Sequence, residues 1–499
     1  MSGDVRVLVP LAVPVAGAFA VYLLARLVPR RLRQHTNGLL ASFTALILAL
    51  ALGGLAALQS GVSASAHLSW GYLQPNGASL RAEPGALVII GVALGLGFLV
   101  TIYSGRYLVM DQRYETYYPL LLLLIAGLTG MLLSADLFTL YLFCELMSIA
   151  AYALVAFRRR TRTAVEAGFK YLVMGSASTV TILLGIAFIY RETGQLALVQ
   201  SAGRAGPWTR AGIACWLAGL GLKSALAPLH TWLPDAHGRA PSSISAMLSG
   251  IVVQSAFYTM VKVCLGLGLP ARALGALLLA LAVLNMFVGN GLALVQTHTK
   301  RLLGYSTIAQ MGYLMLAMGI GLRYGIREAL QAGLFLIVSQ ATLKGLAFLS
   351  KGVCHFYLGT TTISQLNDTA NRMPLVALTF SVALAGLASI PPLAGFTAKW
   401  FILTSILRAP SAIGYAGMAA LLANSLISLG YYLPMIGALF RPSAHTMASG
   451  QSKTRVHVSV WMALPLVILS ALVLAVGVFP GPWLAWTFEA SQYLLALGR

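Results

Sequence analysis

The chain has 499 residues, of which 59% are hydrophobic and 9% charged, with a formal net charge of +21. A soluble domain carries roughly a quarter charged residues, and a single soluble core could not hide this much apolar surface. The basic residues punctuate apolar runs and do not gather on one segment, which excludes a nucleic-acid-binding domain.

The apolar runs are about 20 residues long, the length that crosses a hydrocarbon core of about 30 Å. Inside lipid every backbone amide needs an internal partner, and Leu/Ala/Gly-rich runs satisfy that as helices better than as barrel strands. The predicted fold class is an all-α polytopic membrane protein. Fourteen spans are expected, at 6–28, 37–58, 85–107, 117–134, 136–157, 165–190, 211–234, 240–266, 271–296, 302–321, 327–352, 374–407, 412–440 and 459–480. The first lacks a small-residue cleavage site before its basic end and reads as a span, not a removed signal. The stretch Gln59 to Pro84, rich in Ser and Gly, reads as the longest loop, and 441–499 as a loop, a last helix and a short tail. The four cysteines (Cys144, Cys215, Cys264, Cys354) sit far apart in apolar runs, without metal-ligand spacing.

With both termini outside, the inner loops hold 18 basic residues, among them Arg26, Arg30, Arg31, Arg33, Arg158 to Arg160, Lys300, Arg301 and Lys453. The outer side holds 10, including Arg6 and Arg499, so the positive-inside rule favours that topology. Five lysines remain inside spans. Lys170 and Lys262 lie within about two turns of a span end and are expected to snorkel to the interface. Lys223, Lys344 and Lys399 lie deeper, and a cation there costs at least about 2.5–3.5 kcal/mol unless it faces a protein interior or water and finds a partner.

Taken along the chain, the fifth span carries Glu145, the one carboxylate at a span's middle, on a polar stripe with Tyr141, Ser148 and Tyr152. The seventh carries Lys223 and then Pro228, His230 and Pro234. The eighth has Gln254, Tyr258 and Lys262 at helical spacing, and the eleventh Gln340, Lys344 and Lys351. The twelfth reads Ser-Ile-Pro-Pro-Leu-Ala-Gly-Phe-Thr-Ala-Lys from Ser389, with Pro391 and Pro392 before Lys399. Each proline breaks the helical ladder and frees carbonyls at membrane depth, where they can hold water beside a lysine. A desolvated lysine near a movable negative charge can load and release a proton. Hydrogen-bonded glue between helices is the competing reading of the polar stripes. A metal site would need clustered carboxylates or imidazoles, which the sequence does not supply.

Four passages together resemble the antiporter-like subunits shared by respiratory complex I, Mrp-type sodium/proton antiporters and energy-converting membrane hydrogenases. They are Leu-Phe-Cys-Glu145-Leu-Met-Ser; Lys223 with Pro228-Leu-His-Thr-Trp-Leu-Pro-Asp-Ala-His237; Lys300-Arg-Leu-Leu-Gly-Tyr-Ser-Thr-Ile-Ala-Gln-Met-Gly312; and Pro391-Pro-Leu-Ala-Gly-Phe-Thr-Ala-Lys399. The resemblance covers about Tyr103 to Phe440. It implies helices 1–3 over 1–116, two inverted five-helix repeats over 117–266 and 267–440, and broken helices seven and twelve. It further implies that Glu145 and Lys223 pair in a first half-channel, that Lys344 is a central lysine and Lys399 an exit lysine, and that His230 helps hydrate the break. Where the family often has a lysine this chain has Gln254, and where it often has histidines it has Gln310 and Gln340. A glutamine orders water but carries no proton charge at neutral pH.

The function these residues imply is proton translocation by a cell-membrane subunit of a complex I-like redox pump, embedded in the lipid bilayer among other membrane subunits. A subunit of an Mrp-type antiporter, with sodium as the exchanged ion, and a non-conducting structural subunit are the alternatives. No Gly-rich dinucleotide fingerprint appears, so quinone, flavin or iron–sulfur centres are expected in partner subunits, not in this chain.

Overall fold

The computed structural model describes residues 2–3, 5–27, 33–61, 66–70, 77–109, 111, 113–198, 206–408, 411–442 and 454–498. Of the basic residues in the topology count, Arg30, Arg31, Arg204, Lys453 and Arg499 lie outside the described residues.

Among the described residues eleven helices are long and apolar enough to cross a membrane. They are α1 (Val9–Leu27), α2 (Arg33–Gly61), α3 (Pro84–Tyr107), α4 (Tyr114–Leu133), α5 (Leu137–Val155), α6 (Arg162–Thr193), the segment from α9 (Ser242–Met247) to α10 (Val253–Gly266), α11 (Ala271–Leu294), α13 (Arg327–Leu358), α17 (Ala412–Phe440) and α18 (Val460–Val478). Three expected spans differ. One is α12 (Thr299–Tyr324), which carries Lys300, Arg301 and Arg323 yet is buried along most of its length. The seventh is split into α7 (Pro207–Lys223) and α8 (Trp232–Arg239), and the twelfth into α15 (Pro374–Leu387) and α16 (Ala394–Ile406). The seventh span does not end at 234: α8 continues past His237, and the turn falls at Ala240 and Pro241. A four-residue helix, α14 (Thr369–Arg372), precedes α15.

Local chemistry sets these ends. Asp136 caps α5 by accepting from the Thr139 amide at 2.7 Å, and Ser411 caps α17 through the Gly414 amide at 3.0 Å. Gly194, Gly325 and Gly359 close α6, α12 and α13 with φ of 63°, 71° and 66°, a conformation that favours residues without a Cβ. The α9–α10 span is interrupted by a π-turn over Leu248–Val252, directly before Gln254.

At the centre stand α13 and the α9–α10 span, both enclosed almost all round by other helices. The outer helices turn Phe169, Val180, Leu378 and Leu426 outward, an apolar perimeter suited to lipid. The most extensive seam joins α11 to α12. Lipid gives no hydrophobic drive between helices, so close backbone approach has to do the packing. A Cβ at Gly289 would lie 2.4 Å from the Ala309 amide nitrogen, and one at Gly275 2.6 Å from that of Arg323.

Two expectations are corrected. Gln59 to Pro84 is not wholly loop: α2 reaches Gly61, and β1 (Ser2–Gly3), β2 (Ala66–Trp70) and β3 (Ala78–Ala82) form an antiparallel sheet in the order β1-β2-β3. The Ala135 amide donates to Ser79 O at 2.9 Å, and the Asp136 carboxylate accepts from the Ser79 amide at 2.9 Å, which fastens the sheet to the α4–α5 turn. The C-terminal tail is likewise a helix, α19 (Gly481–Leu497), packed on α3 and α13. It was missed because its apolar run is shorter than a span and is interrupted by Glu489, Ser491 and Gln492.

Replacing Gly289 with Leu drives a side chain into the backbone of α12. The expected cost is about 1–3 kcal/mol or more, read as a lowered melting temperature of the purified protein, whereas Gly291→Leu, where a Cβ meets nothing within 4 Å, leaves it unchanged.

Candidate functional site

A primary amine in a bilayer must keep hydrogen-bond partners or lose its charge. The three deep lysines meet this condition in the same way. Lys223, the last residue of α7, donates to Ser148 Oγ on α5 at 2.6 Å. Lys344, mid-way along α13 and fully enclosed, donates to Ser306 Oγ at 2.5 Å and to Leu303 O at 3.0 Å, both on α12. Lys399 on α16 donates to Ser425 Oγ on α17 at 3.0 Å and lies 4.0 Å from the centre of the Tyr313 ring. Each amine has a serine hydroxyl as partner and no carboxylate within ion-pair distance among the described residues.

Among the described residues Glu145 and Lys223 are not within ion-pair distance of each other. Ser148 stands one turn beyond Glu145 on α5 and takes the Lys223 proton itself, while Glu145 Oε2 is buried with no hydrogen-bond partner. The Ser148 hydroxyl in turn donates to Cys144 O at 2.7 Å, so toward Lys223 it serves as an acceptor.

The helix breaks that expose these lysines repeat one local form. Ala225 and Ser389 have φ of 52° and 65°, and each stands three residues before a cis proline, Pro228 or Pro392, the latter following Pro391. A side chain in the left-handed region costs roughly 1–2 kcal/mol, so the surrounding packing must hold both residues in place. At the first break Asn285 on α11 does so, accepting the Ala227 amide at 2.8 Å. Trp232 Nε1 donates to Leu222 O at 2.9 Å, so this freed carbonyl is satisfied by an indole and not left for water. His230 lies in the same break, with Nδ1 buried and unpartnered. At the second break α18 closes in, with Thr397 Oγ1 donating to Gly477 O at 2.9 Å.

The three glutamines meet. Gln340 Nε2 donates to Gln310 Oε1 at 2.9 Å, and with Gln254 and Thr307 they line a small cavity of about 10 Å³. That is room for about one water molecule. The Gln254 and Gln340 carbonyl oxygens facing it are unpartnered. Thr307 also bonds Ser249 of the π-turn at 2.5 Å, so the backbone irregularity sits against the cavity wall.

Several functional candidates escaped the sequence reading. His237 is fully buried, its ring stacked 4.9 Å from Phe348 with both nitrogens unpartnered, in electrostatic reach of Lys344 and Lys300. Beyond Lys344, a polar cluster leads toward Lys399. Tyr431 donates to Asn290 Oδ1 at 2.8 Å, and Asn290 Nδ2 donates to Asn424 Oδ1 at 2.9 Å and reaches the Tyr313 hydroxyl at 3.4 Å. Single asparagines inside apolar spans were the available signal. Lys170 is exposed and pairs with Glu166 at 2.8 Å and Asp235 at 3.5 Å. Lys262 does not snorkel: it is 3% exposed and forms an ion pair with Glu83 at 3.0 Å. Outside the bundle, His298 heads α12 among Lys300, Lys351, Arg239 and Arg301, and burial with these cations pulls its imidazole down to about 4. Among the described residues no three His, Cys, Asp or Glu side chains converge as a metal site.

A many-helix membrane bundle whose buried amines run between two broken helices defines the class of antiporter-like membrane subunits. The chain belongs to the NADH:quinone oxidoreductase/Mrp antiporter transmembrane family, whose pattern matches residues 134–428. It is 31% identical over 429 residues to NADH-quinone oxidoreductase subunit N of Desulforudis audaxviator, covering 82% of this chain and 83% of that one. Its fold matches a chain of the membrane-bound sulfane sulfur reductase, an archaeal respiratory membrane complex, with TM-score 0.85 and 27% identity over 99% of this chain and 100% of that one. A chain of the Mrp complex from Dietzia sp. DQ12-45-1b superposes equally well, at 0.85 over 99% and 100% of the two chains. At 22% identity that likeness concerns the fold alone.

Ser148→Ala leaves the Lys223 ammonium without its hydroxyl partner. A lost hydrogen bond to a charged group costs about 1.5–3 kcal/mol, so the variant should melt earlier and move protons more slowly, whereas Ser148→Thr, which keeps a hydroxyl, should recover both.

Proposed function

We propose that this chain translocates protons as a membrane subunit of a hetero-oligomeric, complex I-like redox pump. The observation that carries this reading is the shared arrangement of Lys223, Lys344 and Lys399: three enclosed amines, each on a serine hydroxyl and none locked to a carboxylate. A purely structural lysine would be expected to hold a fixed counter-charge, because an unpaired buried cation is costly. A hydroxyl partner tolerates both the ammonium and the neutral amine, which is what a relay needs.

In the proposed cycle a proton reaches Lys223 near Glu145, and a change in the Glu145 charge shifts the Lys223 ammonium on or off Ser148. It then crosses the water site between Gln254, Gln310 and Gln340 to Lys344, and leaves through Asn290, Tyr313 and Lys399. The glutamines take no charge, so the step between the halves depends on that water. The two halves are inverted five-helix repeats, 117–266 and 267–440. Electron transfer belongs to partner subunits, which would hold any quinone, flavin or iron–sulfur centre. The NADH-quinone oxidoreductase relative and the respiratory sulfane sulfur reductase chain, both above 25% identity, favour a redox-driven complex over sodium exchange.

Lys223→Ala in the purified native complex, reconstituted in vesicles, should abolish donor-driven, sodium-independent proton uptake while the complex still assembles. Sodium-dependent exchange without a donor would instead identify an antiporter, and unchanged pumping in the variant would leave the chain a scaffold. The chain is placed in the cell membrane with both termini outside. A cysteine at position 77, on the sheet side, should then react with a membrane-impermeant maleimide added outside intact cells and not in inverted vesicles.

A further inference from the structure

The relay leaves one buried pair of full charges unused. Glu83, the residue before α3, and Lys262, near the end of α10, are 2% and 3% exposed, and Lys262 Nζ lies 3.0 Å from Glu83 Oε2 as an ion pair, without a hydrogen bond aligned on that oxygen. Lys262 also donates to Leu132 O at 3.1 Å and Ser134 O at 2.9 Å, at the end of α4. The pair thus sits beneath the small sheet, where Ser79 and Asp136 tie β3 to the α4–α5 turn.

It also lies in line with the centre of the bundle. Gln254, Tyr258 and Lys262 recur every four residues along α10, covering about 12 Å of helix axis. Gln254 faces the water-sized cavity at one end, and Lys262 the ion pair at the other. Between them the Tyr258 hydroxyl is fully buried and has no hydrogen-bond partner. It presses on the first turn of α3, where a Cβ at Gly85 would lie 2.2 Å from the Tyr258 oxygen, and it feels the Glu83 charge two residues away. On the far side, half-exposed Tyr493 of α19 and Arg81 of β3 stand beside Glu83. An unsatisfied buried hydroxyl between a water site and an ion pair is a costly arrangement for packing alone.

We propose that Glu83 and Lys262 form a second proton-transfer site, through which protons from the central cavity leave at the sheet face by way of Tyr258. The inference rests on the proton-pumping reading above and adds a branch that bypasses Lys344 and Lys399. In the step, an N–H bond of the Lys262 ammonium breaks as an O–H bond forms on Glu83, and both groups become neutral. The Glu83 acid gives its proton to water beside Tyr493 and Arg81. The Lys262 amine is refilled from the Tyr258 hydroxyl, which takes a proton in turn from water at the glutamine cavity. Atoms and charge balance and no electron moves. Among the described residues, Arg81, Asp136, Tyr258 and Tyr493 are charged or titratable groups around the site, and the Asp136 carboxylate is already occupied by the Ser79 and Thr139 amides.

The test is the proton-to-electron ratio of the native complex in vesicles, measured for wild type, K223A, Y258F and the neutral double variant E83Q/K262M. Y258F removes a hydroxyl that bonds nothing, so it should assemble in full even where the double variant does not. The expected result is that Y258F lowers the ratio by part of what K223A removes, because the exit through Lys399 stays open, with unchanged electron transfer, and that an assembled E83Q/K262M lowers it by the same part. A Y258F complex with the wild-type ratio while K223A has lost its share would overturn the site and leave the pair a structural clamp. A wild-type ratio in K223A would remove the pumping reading itself, and the branch with it.

Discussion

The organising constraint is that an amine held at membrane depth needs hydrogen-bond acceptors which its own helix does not offer. A helix engages its carbonyls with its own amides, so each deep lysine must find acceptors, above all a serine hydroxyl, on a neighbouring helix. Lys344 finds them on α12, in Leu303 O and the Ser306 hydroxyl. Lys223 and Lys399 sit beside breaks, where the chain ends one helix and begins another within the bundle. The breaks in turn need support, and the residues that hold them, Asn285 and Trp232 at the first and Thr397 with α18 at the second, are placed by packing of elements distant in sequence. The central position of α13 and the tight α11–α12 seam follow from the same need, since only a fully enclosed helix can present Lys344 away from lipid.

The partner type separates three classes of buried lysine. Lys223, Lys344 and Lys399 rest on hydroxyls, Lys262 on a carboxylate and two carbonyls, and Lys300 and Lys351 on the backbone carbonyls of Ala240 and Thr360. Hydroxyl partnership leaves the net charge of the site free to change, and carboxylate partnership sets it unless the proton moves within the pair. The first kind lies on α7, α13 and α16, and the second at the end of α10, near the sheet.

Much of this was legible in the sequence. Apolar run length gave the helices within a few residues, because span length is fixed by the thickness of the hydrocarbon core. The prolines gave the two breaks, and the rarity of charge in lipid singled out the lysines. What was missed depends on contacts between distant residues. Lys262 was expected to reach the interface because it lies near a span end, but its partner Glu83 is separated from it by seven helices of sequence, α3 to α9. Ser148 lies on the Glu145 stripe, but nothing in the local pattern shows that it accepts from Lys223. The C-terminal helix α19 was read as a tail because it is too short and too polar to span, and hairpin pairing of β2 and β3 left only a weak pattern. The three glutamines were recognised as departures, but their convergence on one cavity follows from the register of α10, α12 and α13, which no local pattern reports.

That cavity has a consequence for energy conservation at rest. A membrane potential is worth about 2.3 kcal/mol per elementary charge for each 100 mV, and a continuous wet file of titratable groups would let it discharge. Two amides bonded to each other, with space beside them for a single water, make a break in the wire. Under the proposed cycle the molecule would conduct only when water fills that gap, and glutamines in place of ionisable side chains would favour low leakage over a high idle conductance.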